Sequence, residues 1–256
     1  MKYIIFIASL LFSSLALANP IDDKCAQFIY AGAPESKIVS NEQYLCKLNY
    51  AVHYRYDTKT AEYVVEHVTK ASITGSSKRK NDFRSDPAVP VKFQSQLADY
   101  ATAGNIYDRG HMSPAGDNTI NDAMMSESFF LTNMVPQVGN NNRGIWKQLE
   151  TAVRNWSLAG KDVYVVSGTI YDPGFKTIGP NAVGVPTKLF KVIYDKTNNR
   201  AIGFIFPNQA LPVKDLPNFA MAVSDVEKQT GLVFMPKLPA NIKSTKPNLT
   251  DWPGLN

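Results

Sequence analysis

Cysteine is nearly absent from this 256-residue chain, which holds two, and histidine is barely commoner, with three. The spacing of Cys25 and Cys46 fits no zinc pattern and is not the Cys-x-x-Cys of a redox pair. After the N-terminus no apolar run approaches the length that spans a bilayer, so no membrane segment is expected in the body of the protein. Repeats, low-complexity tracts and linkers are also missing, which argues against an array or a chain of modules. Neither sign of charge dominates: 27 basic against 22 acidic residues leave +5, too weak to imply a polyanionic partner. What remains is ordinary globular composition, 44% apolar and 19% charged, with ample length to bury a core.

The N-terminus has a separate purpose. Met1-Lys2, an apolar run from Tyr3 to Leu15 and the small-x-small Ala16-Leu17-Ala18 form a leader expected to be cleaved before Asn19. Residues 1–18 are thus expected to be a signal peptide, with the product periplasmic or secreted. Its removal takes one lysine from the 27 basic residues and none of the 22 acidic ones, leaving +4. An oxidising destination gives the cysteines a meaning, a structural disulfide between Cys25 and Cys46.

Residues 19–256 are expected to form one domain of α+β class, a largely antiparallel central sheet flanked by helices. The arm from Asn19 to Leu48 is loop-rich. Residues 50–56 and 61–68, rich in aromatic and β-branched side chains, flank the polar Asp57-Thr58-Lys59-Thr60 as a hairpin. His53 and His67 lie inside these strands, where a histidine is more often a solvent-side or cross-strand residue than a ligand. Strands are expected at 162–167, 188–194 and 201–206. A helix over 222–229 ends at Gly231. Ile145, Leu149, Ala152, Val153 and Trp156 recur at helical spacing, so residues 143–156 read as an amphipathic helix with Asn142 near its N-cap.

One stretch concentrates reactive side chains. Asp108-Arg109-Gly110-His111 places an acid, a guanidinium, a permissive glycine and the third histidine together. A neutral imidazole takes a proton from water near pH 7, and a guanidinium grips a phosphate through paired hydrogen bonds. Downstream, Asn142 and Glu150 stand two turns apart, offset by about 80° on a regular helix, so both can face one cleft. Their oxygens are hard donors suited to Mg²⁺, which keeps most of its waters. The plainer readings are a cap for Asn142 and an i,i+4 salt bridge from Glu150 to Arg154. Taken with the histidine, the set describes metal-assisted phosphodiester hydrolysis.

The same residues resemble the DNA/RNA non-specific endonucleases, a branch of the ββα-metal (His-Me finger) nucleases. Asp108-Arg109-Gly110-His111 is similar to the signature of that family. Residues 130–137, Phe-Leu-Thr-Asn-Met-Val-Pro-Gln, are similar to its Leu-Ser-Asn-x-x-Pro-Gln block, and Asn142, Trp146, Leu149 and Glu150 keep its Asn-x3-Trp-x2-Leu-Glu spacing. The resemblance covers about residues 50–240 and implies a ββα-metal core. It implies His111 as general base, Asn142 as direct ligand of one Mg²⁺ (Mn²⁺ substituting) and Glu150 as holder of a metal-bound water. Arg109 would stabilise the phosphate, and Asn133 would help position the site. The neighbouring Asn140 and Asn141 stay open as alternatives to Asn142. An upstream basic residue is also implied, to be chosen from Arg79, Lys80 and Arg84, with Arg84 favoured by its flanking sequence.

The implied partners are DNA and RNA, bound through the phosphate backbone and cut to 5′-phosphate ends, with rate falling below about pH 6.5 as an unperturbed histidine protonates. A homodimer is left open, and no inhibitor protein is named. Two rivals stand beside this reading: a catalytically silent nucleic-acid-binding protein on the same scaffold, and an exported phosphodiesterase for another substrate.

Overall fold

A strand forms inside the arm expected to be loop, β1 (Glu42–Cys46). Its side chains do not alternate in polarity, and it is held instead by main-chain pairing along β2 (Ala51–Arg55). The expected hairpin follows, β2 pairing with β3 (Thr60–Val68). Next in the chain come β4 (Tyr107–His111) and β5 (Met134–Val138), which pair only with each other, and then the helix α1 (Lys147–Leu158). Beyond these lie β6 (Val163–Ile170), the small pair β7 (Thr177–Ile178) and β8 (Val183–Gly184), β9 (Lys188–Asp195), β10 (Arg200–Pro207) and β11 (Ala220–Met221). Helix α2 (Val223–Thr230) closes on Gly231, whose φ of 74° satisfies the left-handed cap. This computed structural model describes residues 21, 24–38, 40–101, 104 and 106–255, so the leader expected over 1–18 lies outside it.

The main sheet runs β1-β2-β3-β6-β9-β10-β11, antiparallel throughout. Both of its faces are covered, which is why its central strands read as unbroken apolar runs. Period-two alternation sorts them: Val64, Leu189 and Ile193 join one core, whereas Tyr63, Val65, Phe190 and Val192 join the other. The first core receives Ile145, Leu149, Ala152, Val153 and Trp156, the helical stripe seen in the sequence, together with Trp146, Val135 of β5 and Met112 just after β4. The second receives the N-terminal arm and α2 through Cys25, Phe28, Val223 and Val226. Packing α1 on one sheet face therefore sets where the β4–β5–α1 unit stands. Among the described residues, no helix is long and apolar enough to cross a membrane.

Cys25 is bonded to Cys46, tying the arm to the edge strand β1 across 21 residues. A loop of that size stabilises the fold by roughly 3 kcal/mol through the unfolded chain. The double variant Cys25→Ser/Cys46→Ser should lose about that much in denaturant unfolding. An unchanged midpoint and slope would show that the arm is held by its packing alone.

The two strand histidines are structural. His67 pairs across strands with Asp162 and stacks on Tyr164. His53 is the cross-strand case rather than the solvent-side one: it is wholly buried, held between the carboxylates of Glu42 on β1 and Glu62 on β3 and stacked on Tyr44.

Candidate active site

The stretch Asp108–His111 is not a turn. It is strand β4, in register with Pro136 opposite Arg109 and Met134 opposite His111. Gly110 is required by a close approach within this pair. A Cβ there would lie 2.1 Å from the side-chain oxygen of Gln137 and 2.8 Å from its Cβ. Gln137 in turn donates to Asn141 Oδ1 at 2.9 Å, and Asn141 donates to the carbonyls of Pro207 and Gln209. Gly110→Ala would thus push on the residue that anchors the turn before α1. A loss of about 1–3 kcal/mol in thermal unfolding, with lowered activity, is the expected result; wild-type values for both would show that Gln137 swings aside freely.

That turn corrects the expected cap. Asn141–Trp146 is a π-helical turn, with Gly144 off helical geometry at φ −105° and ψ −107°, running directly into α1. The 80° offset computed for a regular helix therefore does not apply, yet Asn142 and Glu150 still line one cavity. The turn separates the three asparagines by role. Asn140 precedes it, Asn141 is wholly buried as an anchor, and Asn142 faces the cavity with its Nδ2 donating to Asp108 Oδ2 at 2.8 Å. Asn133 lies under the site rather than in it. Wholly buried, it clamps the residues after His111, accepting from Ser113 N at 2.8 Å and donating to Ser113 O at 2.8 Å.

The cavity holds about 360 Å³, and its walls include Arg79, Arg109, His111, Asn142, Glu150 and Arg154. His111 is 8% exposed, with Phe83 and Phe129 edge-on to its ring, and the Trp146 indole N–H donates to its carbonyl at 3.2 Å. Burial, reinforced by Arg79 and Arg109, pushes the imidazole down to about 3, so it is neutral throughout the physiological range. Its Nε2 has no protein partner among the described residues. Arg109 lays its guanidinium 4.3 Å from the Phe83 ring centroid.

Glu150 does not pair with Arg154, which binds Asp117 at 2.9 Å instead. Burial raises the Glu150 carboxyl to about 7, against the pull of Lys191 and Arg154. A carboxyl raised by burial, on the same cavity wall as the Asn142 amide, fits a hard divalent cation. Among the described residues no group of three or more His, Cys, Asp and Glu could enclose a metal, so an ion here would keep most of its waters.

The upstream basic residue is corrected. Arg84 is turned away from the cavity, donating to the Asp82 and Ser126 carbonyls and lying over Phe130. Lys80 is held by Asp122 at 2.7 Å. Arg79 is the member of the three that lines the cavity. Flanking sequence misled because neighbouring side chains in an extended loop point to different sides.

Sequence reasoning passed over Arg143 and Lys147 and took Arg154 only as a salt-bridge partner; the three share the Glu150 cavity at spacings of four, three and four residues, a signal present in the chain. It also passed over Lys191, a buried lysine in an apolar strand, which donates to Ser167 at 2.5 Å and sits 4.5 Å from the Trp146 ring centroid.

The sequence profile of the DNA/RNA non-specific endonucleases matches residues 30–241, beginning earlier than the motif-bearing core at 50–240. Nuclease EXOG, mitochondrial, of Homo sapiens is 36% identical over 211 residues, 75% of this chain and 57% of the relative. Nuclease C1 of Cunninghamella echinulata var. echinulata is 39% identical over 212 residues, 76% of this chain and 83% of the relative. A crystal structure of the EndoG/EndoGI complex aligns with a TM-score of 0.75 and 28% identity, over 86% of this chain and 94% of that one. The chain thus spans little more than half the length of human EXOG.

These relatives overturn the periplasmic or secreted location. The human, mouse and zebrafish EXOG nucleases and the yeast nuclease are all named mitochondrial, which points away from export. The physical reason is that a short apolar leader is an address read by a receptor, and its composition alone does not name the compartment. The resemblance read from the three motif blocks is borne out, and so is the ββα arrangement it implied. This chain belongs to the DNA/RNA non-specific endonuclease family.

Proposed function

We propose that residues 19–256 act as one domain, a metal-dependent, sugar-non-specific endonuclease that hydrolyses DNA and RNA to 5′-phosphate ends. The observation that carries this reading is the convergence of a neutral, unpartnered imidazole, an amide–carboxylate pair and several cations on one 360 Å³ cavity. The His111 imidazole takes a proton from water, whose oxygen attacks phosphorus as the bond to the 3′ oxygen breaks; that oxygen leaves with a proton taken from solvent. Arg109 and Arg79 hold the phosphate and offset charge developing on its oxygens. Asn142 would hold Mg²⁺, or Mn²⁺ in its place, directly, and Glu150 would hold it through a water. When bound, the ion supplies Lewis-acid stabilisation of the phosphate and leaving oxygen. Asn133 fixes the His111 segment from below. The partners are phosphate backbones, and the relation to a crystallised complex with an inhibitor raises the same class of partner here.

The test is incubation of the protein with plasmid, single-stranded DNA and RNA, with and without chelator, followed by end analysis. Metal-dependent nicking with 5′-phosphate products is expected, and binding without cleavage would favour the silent rival.

The pH expectation is corrected by the depressed His111 pKa. A base titrating near 3 is already deprotonated at pH 5, so His111 does not set an acid limb at 6.5. Glu150, whose folded pKa is raised to about 7, takes up a proton as pH falls through that value and then resists the cation. Raising Mg²⁺ should therefore shift the acid limb of kcat/KM to lower pH. A limb fixed at 6.5 at every metal concentration would return the titration to His111.

A further inference from the structure

A second cavity of about 590 Å³ adjoins the first and shares Arg79, Arg109, Asn142 and Arg143 with it. Its remaining wall differs in kind, because it carries the half-buried rings of Phe83 and Tyr107 beside the buried Tyr100. We propose that this second cavity is a stacking subsite for unpaired bases of the DNA or RNA strand whose phosphate is cut next door. The inference rests on reading the neighbouring cavity as a phosphodiester site.

The argument is one of matched chemistry. A groove that only tracked a backbone would need cations, not rings. Here cations and rings lie on the same wall, the pairing that single-strand grooves use for phosphates and bases respectively. The one carboxylate present, Asp108, is already engaged by Arg143 at 2.6 Å and by Asn142, so the groove stays cationic. The rings are braced: Phe83 and Tyr107 are half-buried and pack against the cluster of Leu131, Met134 and Val183. Tyr107 stacks on no other ring and carries no cation among the described residues, which leaves its ring available to a base. Arg109 lies over Phe83 and adds a cation to the same wall. In a duplex the base faces are covered by their neighbours, so only an unstacked strand can use these rings.

Binding of labelled oligothymidylate and of an abasic deoxyribose-phosphate strand of equal length should be compared by fluorescence anisotropy in chelating buffer. Oligouridylate and abasic ribose-phosphate form the RNA arm. All four strands offer phosphates, so the difference within each pair reads stacking alone. Wild type should bind the base-bearing strand about 5- to 150-fold more tightly, the range for one stacked base. In Tyr107→Leu, which keeps an apolar side chain against the cluster, that ratio should collapse toward one.

Equal affinity of wild type for both strands would overturn the subsite, as would an undiminished ratio in the variant. A preference for ribose over deoxyribose strands that is equal with and without bases would place recognition on the 2′-hydroxyl and also overturn it. If Tyr107→Leu does not fold, the wild-type ratio decides alone. Discrimination without cleavage would sink the nuclease reading and leave the subsite standing; cleavage with equal affinities would do the reverse.

Discussion

Replacing His111 with alanine should lower kcat on plasmid DNA by about 10²- to 10⁴-fold, the usual contribution of a positioned proton acceptor. Nothing else in the cavity can take its place. The other nitrogen-bearing side chains of its lining are the Asn142 amide, arginines and Lys147, which serve as donors rather than as proton acceptors, and Glu150 faces the cation instead. The variant is expected to fold, because the segment is held by main-chain pairing with β5, by the Trp146 indole on the His111 carbonyl and by the Asn133 clamp. Thermal unfolding checks that point separately. Added imidazole, small enough for the vacated space between Phe83 and Phe129, should restore part of the rate. Full activity in His111→Ala would remove the histidine from the mechanism.

The second large effect is expected at Asn142. Asn142→Ala should weaken Mg²⁺ affinity by about 10- to 100-fold or more, since even residues that only orient metal ligands cost that much. Isothermal titration with Mn²⁺ reads this without any turnover, and the rate at limiting metal should fall in parallel. Asn142→Asp is not a harmless exchange, although it keeps a ligating oxygen. Its new oxygen would replace the amide nitrogen that now lies 2.8 Å from Asp108 Oδ2, setting two carboxylates against each other. Recovery of function in that variant should therefore need Asp108→Asn as well. Unchanged metal affinity in Asn142→Ala would move the ligand elsewhere, and Glu150 is the alternative on the same wall.

Much of the site was legible before folding because its chemistry is local. His111, Arg109, Asn142 and Glu150 line one cavity, as their residue types and spacing suggested. The spacing survived even though its geometric premise did not. The π-turn and the Gly144 departure replace the regular helix, yet α1 still carries Glu150 to the wall that Asn142 faces. The upstream arginine was not legible, because which of Arg79, Lys80 and Arg84 reaches the cavity depends on how an extended loop lies across Phe129 and Phe130.

By itself, then, the sequence determined the family, the α+β class, the principal strands, the apolar stripe of α1 and the side chains that meet in one cavity, because periodicity and motif spacing are properties of the chain. Tertiary structure alone decided three further matters. It set the protonation states, since the displacement of His111 to about 3 and Glu150 to about 7 comes from burial and from charges brought in by other elements. It chose Arg79 over Arg84. It also set an aromatic wall beside the catalytic cavity from Phe83, Tyr100 and Tyr107, which the chain order keeps apart and only packing brings to one groove.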